Sequence, residues 1–441
     1  MKLTASIKKV RADFQPQFWI ANFMELFERL AYYGQATILS IFLRDHLKFN
    51  EIEAGQLSSV FGGLIYLLPI FAGALIDKFG YRKAFSFAFF VLAIGYFLIG
   101  STGMQLFSGF YSDFDLYWTL IVILVFTAFG GSFIKPSVLG TIALTSTSES
   151  KSLGYAIYYW LVNMGAAIGP LLAFLVRDSF GIEFVYLVSA ISCALMFLTT
   201  LIFFKEPPAK LEEKREDIKT VMKNMILVLK NFRFMAFLLI FSLYWIIFWQ
   251  FFIVIPFYVS DYISPEAPIE LIISTGAWTI ILFQIPINRL TKNISTQRAI
   301  QIGFLLGALG WLLMYFVLPV TDKVFFSFIK ESNILFSFAM SIPIVIGGLF
   351  IFSIGEQTQA PRYYEYIANL APKGQAALFQ GFAFLPIAIA WGFGGAFGGW
   401  IYTVFAKEMN RPDLIFLVIF GIGLLATVLI YIYDQMIKDK Q

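Results

Sequence analysis

The sequence predicts an all-α integral membrane protein of twelve spanning helices, arranged as two six-helix bundles. Three observations carry this. Hydrophobic residues make up 59% of the 441 and charged residues only 14%, where a soluble chain carries about a quarter charged. Apolar stretches of about 20 residues, the length that crosses a bilayer, recur along the chain. A single extended hydrophilic stretch, from Lys205 to Lys230, divides them into six and six.

The first stretch, 17–43, is the most informative. Its segment Glu25-Leu-Phe-Glu28-Arg29-Leu-Ala-Tyr32-Tyr33-Gly34 puts three charges into a spanning helix. A charge in hydrocarbon is costly unless paired or facing water, so such residues mark function. Glu25 and Arg29 are four apart and share a helix face, with Glu28 one residue round. The cluster pairs with itself and keeps one spare carboxylate, a pattern suited to proton-coupled transport. Met1 to Arg11 is polar and basic and leads into a full-length span, so no cleavable signal peptide is expected. The remaining spans follow at 54–76, 84–102, 117–143, 153–176 and 183–204. After the linker come 233–260, 269–289, 299–318, 336–360, 374–402 and 411–434. This gives an N-terminal bundle over 1–204, a cytoplasmic linker over 205–231 and a C-terminal bundle over 232–441. The linker, from Leu211 to Lys223, has helical charge spacing and is expected to form an amphipathic helix; a flexible tether is the competing reading.

Lysine and arginine set the orientation. If the N-terminus is inside, the outer loops hold only Arg44, Lys48, Arg177, Lys323, Lys330, Lys407 and Arg411 of the 32 basic residues. The positive-inside rule then places both termini in the cytoplasm. The net charge of +4 comes mostly from the inner loops and points to apposition with anionic lipid rather than nucleic acid. One histidine, His46, and one cysteine, Cys193, exclude a histidine relay and an internal disulfide. They leave too little material for a nucleophile–base pair or a metal site, so an enzyme is not expected. Nor is there a soluble output domain of the kind a sensor would need.

Two sets of motifs narrow the class. Gly73-Ala-Leu-Ile-Asp77-Lys78-Phe-Gly80-Tyr-Arg82-Lys83, after the second span, resembles the loop motif of the major facilitator superfamily. It reads as a topological latch: Asp77 can accept from basic residues or helix ends, and the glycines allow a tight turn. Asn288 to Arg298 is a degenerate echo in the second half. Such repeats suggest substrate binding between the halves near mid-membrane. Within the superfamily, Glu25 to Gly34 resembles the Glu-x-x-Glu-Arg hallmark of the proton-dependent oligopeptide transporters. Tyr66, Gly130 to Ser137 around Lys135, the run Tyr155 to Pro170 around Asn163, Glu356, and Glu365 to Lys373 resemble further stretches of that family.

The resemblance implies spans one and four as neighbours. Helical rise then puts Glu25 and Lys135 at similar depths, about 12 Å from the cytoplasmic side, with Arg29 at about 18 Å. Pro136 frees a backbone carbonyl and can bend the helix beside Lys135. Glu25, Glu28 and Glu356 oppose Arg29 and Lys135, so one carboxylate lacks a cation and becomes protonatable. A substrate carboxylate taking Arg29 or Lys135 would release a second, linking substrate to proton. The competing reading is a static ion-pair network. Tyr32, Tyr33 and Tyr66 offer hydroxyls and ring faces to a peptide, or pack helices. Asn163 could bind a peptide amide, or hydrogen-bond between helices. Glu356 would take the substrate ammonium, or gate. Two departures stand out: Trp249 occupies the family's seventh-span glutamate position, and Ala383 replaces an eleventh-span tryptophan. Both suggest a pocket for bulkier or less cationic ligands, so another carboxylate-bearing metabolite or peptide-like conjugate is the alternative to di- and tripeptides. The resemblance implies a monomeric proton-driven symporter with no cofactor or metal, working by alternating access. The short loops favour a bacterial inner membrane.

Overall fold

The computed structural model describes residues 14–147, 150–207, 226–320, 334–370, 379 and 382–438. It is almost wholly helical, as a chain in hydrocarbon must be when it satisfies its backbone polar groups within each segment. The principal helices are α1 (Pro16–Ile41), α2 (Glu51–Leu67), α3 (Pro69–Phe79), α4 (Tyr81–Ser101), α5 (Leu116–Gly131) and α6 (Ile134–Thr145). They continue with α7 (Lys151–Phe180), α8 (Glu183–Phe203), α9 (Phe232–Tyr258), α10 (Ile269–Thr291) and α11 (Thr296–Val320). The last are α12 (Ile334–Leu370), α13 (Leu385–Tyr402) and α14 (Asp413–Lys438).

Among the described residues, ten helical segments are long and apolar enough to cross a membrane, so this is a multi-pass membrane protein. The two remaining expected spans are also helical: α1 is 26 residues and α12 is 37. The second and fourth spans are each read as one stretch in the sequence, and each is broken in the structure. Pro69 begins α3 directly after α2, and Ser132–Phe133 separates α5 from α6. The expected linker helix falls largely on 208–225, outside the described residues.

The chain divides into two compact units. One comprises Met1–Gln35 with Leu64–Met222; the other comprises Ala36–Gly63 with Lys223–Gln441. In the first, α4 packs against α5 and α8, and α6 against α3, α4 and α7. In the second, α11 packs on α12 and α14, α9 on α13 and α14, and α10 on α12. Local signals set the helix ends. Asp115 accepts from the Trp118 amide and Asn231 from the Phe234 amide, capping α5 and α9.

The loop motif closes through contacts beyond those the sequence reading named. Gly80 takes φ +91°, a conformation that L side chains rarely adopt, and there α3 turns into α4. The amides of Tyr81 and Arg82 donate to the Glu206 carboxylate at 2.7 and 2.8 Å, and the Arg82 guanidinium donates to the Leu201 carbonyl at 2.7 Å. An acid at a helix N-terminus meets the positive end of the dipole. Glu206, just past α8, is therefore the residue that ties the loop. Gly73 lies within α3 and Lys83 on the exposed start of α4. The side chain of Asp77 lies outside the described residues.

Candidate functional site

Glu25, Glu28 and Arg29 sit on α1 in the first unit and are almost completely buried, at 0%, 0% and 3% exposure. Arg29 Nε lies 3.3 Å from Glu25 Oε1, and the same guanidinium pairs with Glu28. Burial of three charges is tolerable here because one cation serves two carboxylates. Gly165 of α7 makes room for it: a Cβ on Gly165 would collide with the Arg29 Cβ. The sequence supplies a glycine where the charged residue's stem must pass close to the neighbouring helix.

Aromatic rings enclose the guanidinium. The Arg29 Cζ is 4.7 Å from the Tyr32 ring centroid and 6.0 Å from that of Tyr33. The Lys135 Nζ lies 4.6 Å from the centroid of the Tyr66 ring, a cation–π distance. Lys135 also acts electrostatically on Glu28, and Tyr66 on Tyr32. Glu25, Glu28, Arg29, Tyr32, Tyr33, Tyr66 and Lys135 thus form one continuous cluster contributed by α1, α2 and α6. Its charges are two against two within this unit.

Four further residues singled out in the sequence are placed as follows. Asn163 Nδ2 donates to the Tyr159 carbonyl of its own helix at 2.8 Å. That bond leaves the amide oxygen and the second N–H to meet a ligand or a neighbouring helix. Glu356 lies on α12 of the second unit, in the C-terminal half to which the sequence reading assigned it. Trp249 lies on α9. It is 3% exposed and stacks on Trp391, ring centroids 3.6 Å apart. Ala383 is likewise fully buried, its carbonyl accepting from the Tyr363 hydroxyl at 2.8 Å. Both departures from the family pattern are packing positions here.

Two tyrosines join the site that sequence reasoning passed over. The fully buried Tyr96 of α4 feels the charges of Glu28 and Arg29, and its hydroxyl has no hydrogen-bond partner among the described residues. Tyr158 of α7 feels those of Glu25, Arg29 and Glu28. Tyr158 stands in the Tyr155 to Trp160 run, whose tyrosines recur at helical spacing. Tyr96 is a lone aromatic in an apolar span and carries no such signal.

The cluster is a set of buried, mutually paired charges walled by tyrosines, able to hold an anion on Arg29 or Lys135 and to trade a proton at a carboxylate. The sequence profile of the Major Facilitator Superfamily matches residues 21–330. This chain belongs to the Major Facilitator Superfamily. Its sequence relatives include the dipeptide and tripeptide permease B of Salmonella typhimurium, 29% identical over 176 residues, 39% of this chain and 34% of that protein. The dipeptide and tripeptide permease A of Serratia proteamaculans is 24% identical over 219 residues, 49% of this chain and 41% of that protein. The chain therefore spans well under half the length of these curated relatives in the match. A POT family transporter solved with 5-aminolevulinic acid has a TM-score of 0.71 at 20% identity, over 94% of this chain and 96% of its own. A mutant of the nucleoside transporter NupG reaches 0.72 at 13% identity, over 95% and 99%. Such likenesses show a transporter fold common to several cargoes. The permease relatives agree with the peptide-transporter resemblance of the first span.

Proposed function

We propose that this superfamily member is a proton-coupled symporter of di- and tripeptides, working by alternating access in a bacterial inner membrane with both termini in the cytoplasm. One observation carries the reading: the fully buried Glu25–Arg29–Glu28 cluster, with Lys135 and Tyr66 completing it. A peptide's C-terminal carboxylate competes with Glu25 and Glu28 for Arg29 and Lys135. The carboxylate that loses its partner in low dielectric then favours a proton, so cargo and proton bind with mutual assistance. Tyr32, Tyr33 and Tyr66 supply ring faces and hydroxyls to the peptide backbone, and Glu356 takes the ammonium. A single chain holds every residue this scheme needs.

The experiment is uptake of a dipeptide library into liposomes under an imposed pH gradient, comparing the parent with Glu25→Gln and Lys135→Ala. Uptake that needs the inward proton gradient and collapses in both variants supports the reading. A correctly inserted protein that moves no peptide at any gradient overturns it.

A further inference from the structure

The second unit contains a segment from early in the chain, Ala36–Gly63, seated on helices from the far end of the sequence. At its centre Trp391 of α13 meets Gly62 of α2 so closely that a Cβ on Gly62 would fall inside the indole. The same indole stacks on Trp249 of α9, with planes 20° apart, and Phe61 approaches it edge-on at 6.5 Å. Neighbouring contacts run along the same seam. The Ala396 amide donates to the Ser59 hydroxyl at 2.9 Å, and the Gly55 and Gly395 backbones approach each other. The Ser40 hydroxyl of α1 donates to the Phe252 carbonyl at 2.7 Å, beside Trp249.

Charges are kept to the end of this seam. There Asp261 takes Arg44 at 3.0 Å and Lys407 at 2.8 Å. Of these residues Arg44 is buried, whereas Lys407 is 45% exposed at its side chain. The buried centre is aromatic and uncharged. Separating a buried ion pair strands charge in low dielectric; separating indole from glycine strands none. An indole that fits against a bare backbone is also a fit no other side chain reproduces.

We propose that Gly62, Trp391 and Trp249 form an uncharged latch that holds the 36–63 segment on the second-half helices at rest and parts once in each transport cycle. The proposal rests on the alternating-access reading above, and it makes Trp249 and Trp391 positioning residues rather than ligand contacts.

The test uses Ser40→Cys in the full chain, reconstituted in liposomes and labelled with a membrane-impermeant maleimide; Ser40 is 1% exposed. Native Cys193, fully buried in the first unit, reports unfolding when labelled sites are mapped by mass spectrometry. Adding Trp391→Ala or Gly62→Ala should raise labelling of the thiol introduced at position 40 about two- to tenfold, the equilibrium effect of losing one aromatic stack, with Cys193 unlabelled. Unchanged labelling at position 40 with Cys193 silent overturns the latch. Where either variant exposes Cys193, the milder Trp249→Phe decides by the same criterion. Labelling needs no cargo, so failure of the latch is distinct from failure of peptide transport, which shows as no uptake by the parent protein.

Discussion

Replacing Arg29 with glutamine removes the guanidinium that pairs with both Glu25 and Glu28, each at 0% exposure. Breaking a buried ion pair by removing one partner costs about 3–5 kcal/mol. Lys135 also acts on Glu28, so the loss at pH 8 should lie near the lower end, about 3 kcal/mol. Protonation offers an escape: at pH 5.5 the stranded carboxylates can take protons, and the loss should fall to about 1 kcal/mol, the worth of the missing hydrogen bond. The assay is thermal unfolding of the purified protein at both pH values, alongside liposome uptake. The triple variant Glu25→Gln, Glu28→Gln, Arg29→Gln replaces the cluster with neutral amides. It should recover most of the stability at pH 8 while uptake stays lost. An equal loss for Arg29→Gln at the two pH values, or a triple variant as unstable as the single one, would refute the account of the cluster as paired charges.

Three further outcomes are expected. Tyr66→Phe keeps the ring beneath Lys135 and should change the KM for uptake less than about threefold, whereas Tyr66→Ala removes a cation–π contact worth roughly 0.5–2 kcal/mol and should raise it about tenfold. Gly165→Leu forces α7 off the Arg29 stem; an overpacked contact costs about 1–3 kcal/mol, readable as a lower unfolding midpoint, with uptake reduced more than fivefold, about what 1 kcal/mol gives. The Arg362 guanidinium and the Thr296 hydroxyl hold the Glu365 carboxyl below the usual carboxylate range. Because the folded value is the lower one, this stabilisation is complete above the unfolded carboxylate's pKa of about 4.3 and fades as pH falls through the folded value. Glu365 is 46% exposed at its side chain, so solvent screening limits Glu365→Gln to a loss under about 0.5 kcal/mol at pH 7. That difference in unfolding midpoint should shrink as pH falls below about 4.

Helix identity was legible in the sequence because hydropathy and length act locally, and the bilayer leaves helices as the only way to satisfy each apolar stretch. The charged face of α1 was legible for the same reason: Glu25, Glu28 and Arg29 lie within one turn. What failed to show was pairing over distance. Trp249 and Trp391 are both apolar residues in apolar helices, and nothing local distinguishes an indole buried on a partner from one lining a cavity. Glu206 was invisible as an anchor because its value depends on the α4 N-terminus arriving beside it. Tyr96 reads as ordinary span content until Glu28 is placed next to it. Asn163 was weighed as a bond between helices or a ligand contact, and its bond to the Tyr159 carbonyl of its own helix was not foreseen.

The break at Ser132–Phe133 has a consequence for motion. Pro136 carries no amide hydrogen, so the hydrogen bond a continuous helix would draw from residue 136 to Ser132 was never formed. The chain uses a tighter turn there, the Phe133 amide reaching the Gly130 carbonyl at 3.3 Å, and resumes at Ile134. Bending the fourth span at this point therefore meets one backbone hydrogen bond fewer than in a continuous helix. The short lower segment that carries Lys135 can tilt as a rod on a pre-cut joint, and a single covalent feature, the pyrrolidine ring, sets where the rod begins.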